Sequence, residues 1–166
     1  ADGSFGLTQD RMENITYDNE SICWTNTTSG NSGLKKNLSS YNIDGIDYRY
    51  IVSRFKIEND VNTKASTYRF YFGRVDKTTG TKTHDIWTKP YESFSSSVPF
   101  NKNGSFITYV FDLSTFPVLC TGTDKIGDIF YGAGLDTGTA GVKVYSDYLA
   151  FVPEDKYNVK IYLDKN

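Results

Sequence analysis

This 166-residue chain has two cysteines, one histidine and no apolar run near the length of a membrane span, and each shortage closes off a class of function. Cys23 and Cys120 cannot build a thiolate metal cluster. They leave either one disulfide or two buried free thiols, and the spacing does not choose between them. The lone histidine, His84, lies beside a hairpin tip, with no nucleophile elbow or zinc motif, and reads as a solvated turn residue. Two carboxylates would suffice for glycoside hydrolysis, but no other catalytic signal accompanies them, so we expect no enzyme. The net charge of −2 gives no electrostatic basis for a nucleic-acid partner or an anionic membrane. Nothing approaches the roughly 20 apolar residues of a spanning helix. There is no internal repeat.

Aromatic residues are abundant: they form 16% of the chain, with 13 Tyr and 11 Phe, the types that favour strands. The length suits one domain with a proper core. No amphipathic helix of useful length is present. Strand-like runs alternate instead with Gly, Asn, Asp and Ser punctuation. Strands are expected at 21–25, 48–58, 67–75, 84–90, 105–113, 129–135 and 142–152. Residues 1–12 read as a flexible lead-in, 27–33 as a polar loop, 76–83 as a hairpin tip, the Ser-rich stretch after Pro90 as a loop, and 114–125 as an irregular crossing. In 48–58, Ile51, Ser53, Phe55 and Ile57 are expected inward, with Tyr50, Val52, Arg54 and Lys56 outward. In 67–75, Tyr68, Phe70 and Phe72 share one face, and Arg69, Tyr71 and Gly73 the other.

Many short strands joined by turn signals indicate an all-β domain, an antiparallel two-sheet β-sandwich of jelly-roll type. It is expected over residues 1–153. Residues 154–166 follow the break at Pro153, and read either as the start of a linker to a following module or as a last strand on this domain. The opening Ala1-Asp2-Gly3-Ser4 has no signal-peptide character and reads as the start of a mature or excised fragment.

Three segments together resemble the galactose-binding-like jelly rolls. Tyr48-Arg49-Tyr50-Ile51-Val52-Ser53-Arg54-Phe55-Lys56 is similar to their early strand. Phe106-Ile107-Thr108-Tyr109-Val110-Phe111-Asp112-Leu113-Ser114 is similar to the strand that ends in Asp-Leu-Ser. Val144-Tyr145-Ser146-Asp147-Tyr148-Leu149-Ala150-Phe151 is similar to the closing strand with its Asp-Tyr-hydrophobic step. Order and separation agree over roughly residues 20–152. The resemblance implies a non-catalytic carbohydrate-binding module, secreted or on a cell surface. It would bind a polysaccharide or oligosaccharide and belong to a longer chain, holding a linked enzyme or surface protein to glycan. One departure stands out. The stretch Ile126-Gly127-Asp128-Ile129-Phe130-Tyr131-Gly132 lacks the arginine usual there, so no sugar contact from a basic residue is expected on that strand. The same fold also serves as a bare structural or adhesive domain, such as a stalk, spacer or viral fibre component, with protein contacts only.

A sugar site needs flat apolar faces for the pyranose ring and polar groups for its hydroxyls. Trp87, set among polar residues, is the leading platform, with Tyr91 close behind. Trp24 follows Ile22-Cys23 and reads as core. Tyr50, Tyr71 and Tyr131 are expected on the exposed face of one sheet, with Arg54, Arg69 and Arg74 as donors. The plainer reading is a solvated sheet face covered by Tyr and Arg. Modules of the resembled group often hold one structural calcium. Asp147 matches their closing aspartate, with Glu13, Asp18 or Glu20 as further carboxylates. The alternative for Asp147 is a carboxylate satisfied within the protein.

Overall fold

The computed structural model describes residues 7–10, 12–17, 21–27, 30–58, 67–84, 92–99, 104–135 and 141–156. Eleven strands among them build two antiparallel sheets. The six-stranded sheet runs β1 (Leu7–Asp10), β4 (Gly30–Asn37), β10 (Asp124–Leu135), β6 (Thr67–Asp76), β7 (Lys82–His84), with β8 (Glu92–Pro99) also paired to β6. The five-stranded sheet runs β2 (Met12–Tyr17), β3 (Ile22–Asn26), β11 (Lys143–Val152), β5 (Tyr50–Glu58), β9 (Ile107–Asp112). From β8 onward each strand crosses to the other layer. The fold is the jelly-roll sandwich expected from the strand pattern. No helix in the described residues is long and apolar enough to cross a membrane.

Alternation on β5 is as expected except at Val52, which keeps its outward parity between Ala150 and Val110 but is buried by those neighbours, at 8% exposure. Ile51, Ser53, Phe55 and Ile57 are buried, and Tyr50, Arg54, Lys56 and Glu58 are only partly so. Their antiparallel partners fall in step: Phe55 lies opposite Ser146 and Ile107, and Ile57 opposite Val144. The other layer contributes Leu34, Phe70, Phe72, Ile126, Ile129 and Tyr131 to the same core. Trp24 is fully buried there, edge-on to Phe55 at 6.4 Å between centroids.

Three expected loops are strands. The lead-in holds β1 and the start of β2, the polar stretch 27–33 holds the first half of β4, and the Ser-rich stretch is β8. None of them carries clean apolar alternation, and pairing partners impose their structure. β4 shows how. It is clamped between β1 and β10, with Gly33 directly opposite Gly132. A Cβ on Gly33 would run into the Tyr131 carbonyl, so only glycine permits that approach. The crossing after β9 is two short 3-10 turns, Leu113–Thr115 and Pro117–Cys120, and Asp112 caps the first by accepting from the Ser114 N–H. Cys120 and Cys23 are both free thiols.

The segment before β5 is fixed by a buried carboxylate. Asp44 accepts the N–H groups of Ile46 and Asp47, each at 2.8 Å, and pairs with the Lys77 ammonium of the β6–β7 turn. Burial pushes its carboxyl up, but the Asp47 N–H and Lys77 outweigh this and hold it below the usual range.

Candidate functional site

The outward side of the five-stranded sheet follows from its register. Successive rows across β3, β11, β5 and β9 read Thr25–Lys143–Glu58, Cys23–Tyr145–Lys56, Tyr148–Arg54–Thr108, Ala150–Val52–Val110, and Val152–Tyr50–Asp112. Phe106, just before β9, closes the second row: its ring lies 5.3 Å from the Lys56 ammonium and 4.5 Å from the Arg54 guanidinium. The face therefore has an aromatic and charged end, around Tyr145, Tyr148 and Phe106, then an apolar row of Ala150, Val52 and Val110, and beyond it the row of Val152, Tyr50 and Asp112.

A β-bulge makes this arrangement. Pairing slips between Ser146 and Tyr148, so Asp147 is the extra residue. Without it, strict alternation would send Tyr148 inward. With it, Tyr148 stands on the outer face, 41% exposed. Asp147 itself accepts from Arg54 at 2.6 Å.

Charge on the face is arranged in pairs. Arg49 forks onto Asp112 through two bonds of 2.5 and 2.9 Å. Lys56 bonds Glu58 at 2.8 Å and sits 4.1 Å from the Tyr145 ring. The Tyr145 hydroxyl donates to Glu58 at 2.8 Å. Lys56, then Tyr145, hold the Glu58 carboxyl below its ordinary value. Burial, with Glu58 and Cys23, pushes the Tyr145 phenol well up. Tyr145 is thus a neutral, fixed ring, and the cations are pinned beside aromatic faces.

The residues expected from sequence do not converge. Tyr50 does lie on this face, 5.8 Å from the Arg49 guanidinium. Tyr131 does not: it is 8% exposed and points into the core, edge-on to Phe55 at 6.0 Å. Its parity on β10 puts it with Ile129, not with Phe130. Tyr71 is on the outward side of the six-stranded sheet, but is buried there against Phe130. Arg74 is partnered by Asp124, which also accepts from Thr83 at 2.7 Å, and is remote in the register from Tyr50. His84 ends strand β7, at the start of the run 84–90 expected as a strand, but is half-buried opposite Arg74 rather than solvated. Trp87, Tyr91, Asp18 and Glu20 lie outside the described residues.

Asp147 is taken up by Arg54, and Glu13 is exposed on β2. Among the described residues no three His, Cys, Asp or Glu side chains gather to hold a metal ion.

Tyr145, Tyr148 and Phe106 went unrecognised as a group in the sequence. The usable signal was cross-strand: the outward set of 48–58 needs partners of the same parity, and the closing strand offers Tyr145.

No protein-family model matches the chain, and no curated protein matches it. Solved structures do. A carbohydrate-binding module described as "CBM4 structure and function" superposes with a TM-score of 0.54 at 14% identity, covering 92% of this chain and 98% of that one. A family 11 carbohydrate-binding module from Clostridium thermocellum, in complex with a β-1,3-1,4-mixed-linked tetrasaccharide, gives 0.52 at 15% identity, covering 92% and 91%. A non-crystalline cellulose specific module, CBM28, gives 0.54 at 14%, covering 89% and 87%. The jelly roll described above is the fold these modules share.

Proposed function

We propose that the chain is a non-catalytic carbohydrate-binding domain whose site is the outward face of the five-stranded sheet. One observation carries the reading: Tyr145, Tyr148 and Phe106 gather on a single sheet face with Arg54, Lys56 and Glu58 between and beside them. Rings supply area for the C–H face of a pyranose at low entropic cost, and the paired charges supply donors and acceptors for hydroxyls. The solved modules of the same fold support it, among them one in complex with a β-1,3-1,4-mixed-linked tetrasaccharide.

The carboxyl beside the rings of this face is not tuned as a catalytic acid. Glycoside hydrolysis needs a carboxyl raised toward neutrality, and Glu58 is held low by Lys56 and Tyr145. A binding domain of this kind works tethered to an enzyme or a surface protein outside the cell, where linkage to other modules multiplies a modest affinity.

Affinity electrophoresis and calorimetry against soluble β-glucans, xylans and mannans test the proposal. Wild type should bind at least one. Tyr148→Ala, which removes an exposed ring, should weaken binding about tenfold, roughly 1.4 kcal/mol, with an unchanged melting temperature. Tyr145→Ala should do at least as much. Trp87→Ala in the same gels tests the platform expected first from sequence. Binding abolished there and untouched by Tyr148→Ala would move the site. No binding anywhere would favour a structural or adhesive domain.

A further inference from the structure

β3 pairs with β11 only as far as Ile22 opposite Ser146. Beyond the Asp147 bulge no described strand covers that edge of β11, while β5 stays paired along the other edge as far as Val152. Alternate residues of an antiparallel strand turn their N–H and C=O groups to opposite sides. Part of the 147–152 backbone therefore faces away from β5 as an open edge, the kind to which a further strand adds. The core is open at the same place. Leu149 and Phe151 face inward with their β5 partners Ser53 and Ile51. The two β5 residues are 0% exposed, whereas Leu149 and Phe151 are only half-buried. A cavity of about 300 Å³ lies beside them between the layers, walled mainly by Ile22, Leu38, Ile129, Leu149 and Phe151. The charged residues in its wall, Lys36 and Asp147, are both engaged within the protein. The edge thus lacks one short strand with apolar side chains on its inner face.

The stretch 157–166, outside the described residues, carries a run of that kind. β11 ends at Val152, and the 3-10 turn Glu154–Lys156 follows. Tyr157, Val159, Ile161 and Leu163 then alternate with Asn158, Lys160 and Tyr162, apolar at period two with β-branched residues in the middle. Parity selects the register. A connection through residue 156 would set Asn158 opposite Phe151 and point it into the core. A shorter one would break the 3-10 turn. A connection over 153–157, within the usual hairpin range, keeps the turn and sets Val159 opposite Phe151 and Ile161 opposite Leu149. Lys160 and Tyr162 then face out with Ala150 and Tyr148.

We infer that residues 158–162 dock as an added antiparallel strand on the open edge of β11, with the side chains of Val159 and Ile161 filling the cavity. The inference is independent of sugar binding on the sheet face.

Hydrogen exchange of the full chain, read by NMR, is the test. In wild type the amides within 158–162 and the edge-facing amides of 148–152 should exchange about a hundredfold more slowly than in Ile161→Asp, which places a carboxylate in the apolar cavity. Lys160→Asp, on the outward side of the same strand, should keep the protection. The buried ring of Trp24 reports by near-UV circular dichroism that each variant keeps its core. Fast exchange of 158–162 in wild type overturns the inference, and protection of 148–152 alone would then mean another occupant. Protection that falls on dilution overturns it in favour of a second copy of the chain. So does equal loss in Lys160→Asp overturn it, and so does full protection in a folded Ile161→Asp.

Discussion

On the outward side of the five-stranded sheet, Tyr148 is 41% exposed and Tyr145 and Phe106 are half-open beside Arg54 and Lys56. On the outward side of the six-stranded sheet, Tyr71 and Phe130 pack at 5.7 Å between centroids, and Phe130 is wholly buried. Gly73 shares the latter face, and a Cβ there would strike the Asp128 carboxylate. Both faces carry aromatic residues at strand period. One is finished with charge and left open, while the other is closed off. An outward aromatic on a strand is therefore a candidate ligand contact only where its sheet face stays uncovered.

The largest expected effect separates the two aromatic sets. Phe130→Ala should cost about 3–5 kcal/mol, the loss of a fully buried ring with its cavity. Phe106→Ala should cost less than about 1.5 kcal/mol, because part of that ring stays in water. Chemical denaturation at pH 7 reads both. Comparable losses would mean that the two faces are not different in kind.

Ion pairs sharpen the same contrast. Lys77→Met strands the buried Asp44 carboxylate without its cation, and should destabilise by about 3 kcal/mol. Arg54→Gln removes an exposed cation from Asp147, and should change stability by less than about 1 kcal/mol while weakening glycan binding. A large stability loss for Arg54→Gln would make the Asp147 bulge a structural anchor rather than a feature of the site.

Much of this was legible in the sequence. The alternation of 48–58 gave the inward and outward sets of β5, and Phe70 and Phe72 proved to share the core side. Trp24 beside Ile22 read as core. What could not be read was parity across irregularities. Tyr131 follows Gly127, where the β10–β6 register slips, and Tyr148 follows Asp147, where the β11–β5 register slips. A one-residue slip exchanges the faces of everything beyond it. A tyrosine expected outside is thus in the core, and one whose strict alternation would send it inside is exposed. β4 was illegible for another reason: Gly30-Asn31-Ser32-Gly33 has no strand propensity, and only its two neighbours hold it extended.

The smallest predicted effect tests whether the open face contributes stability at all. In the folded protein Lys56, followed by Tyr145, holds the Glu58 carboxyl below its ordinary value of 4.5, whereas in the unfolded chain it titrates near that value. The unfolded state therefore binds the proton first as pH falls. The contribution of Glu58 is fully present above about pH 5, and is lost as pH drops through the lower folded value. Asp112, held down first by Arg49, follows the same sign. Because Glu58 is over a third exposed at its side chain, screening keeps the effect small. Wild type should melt a degree or two above Glu58→Gln at pH 7 in low salt. The gap should close toward pH 3, and narrow in 0.5 M NaCl. A gap independent of both pH and salt would show that Glu58 acts through packing. The ring of Tyr145 would then be fixed by its neighbours rather than by the charge that its hydroxyl meets.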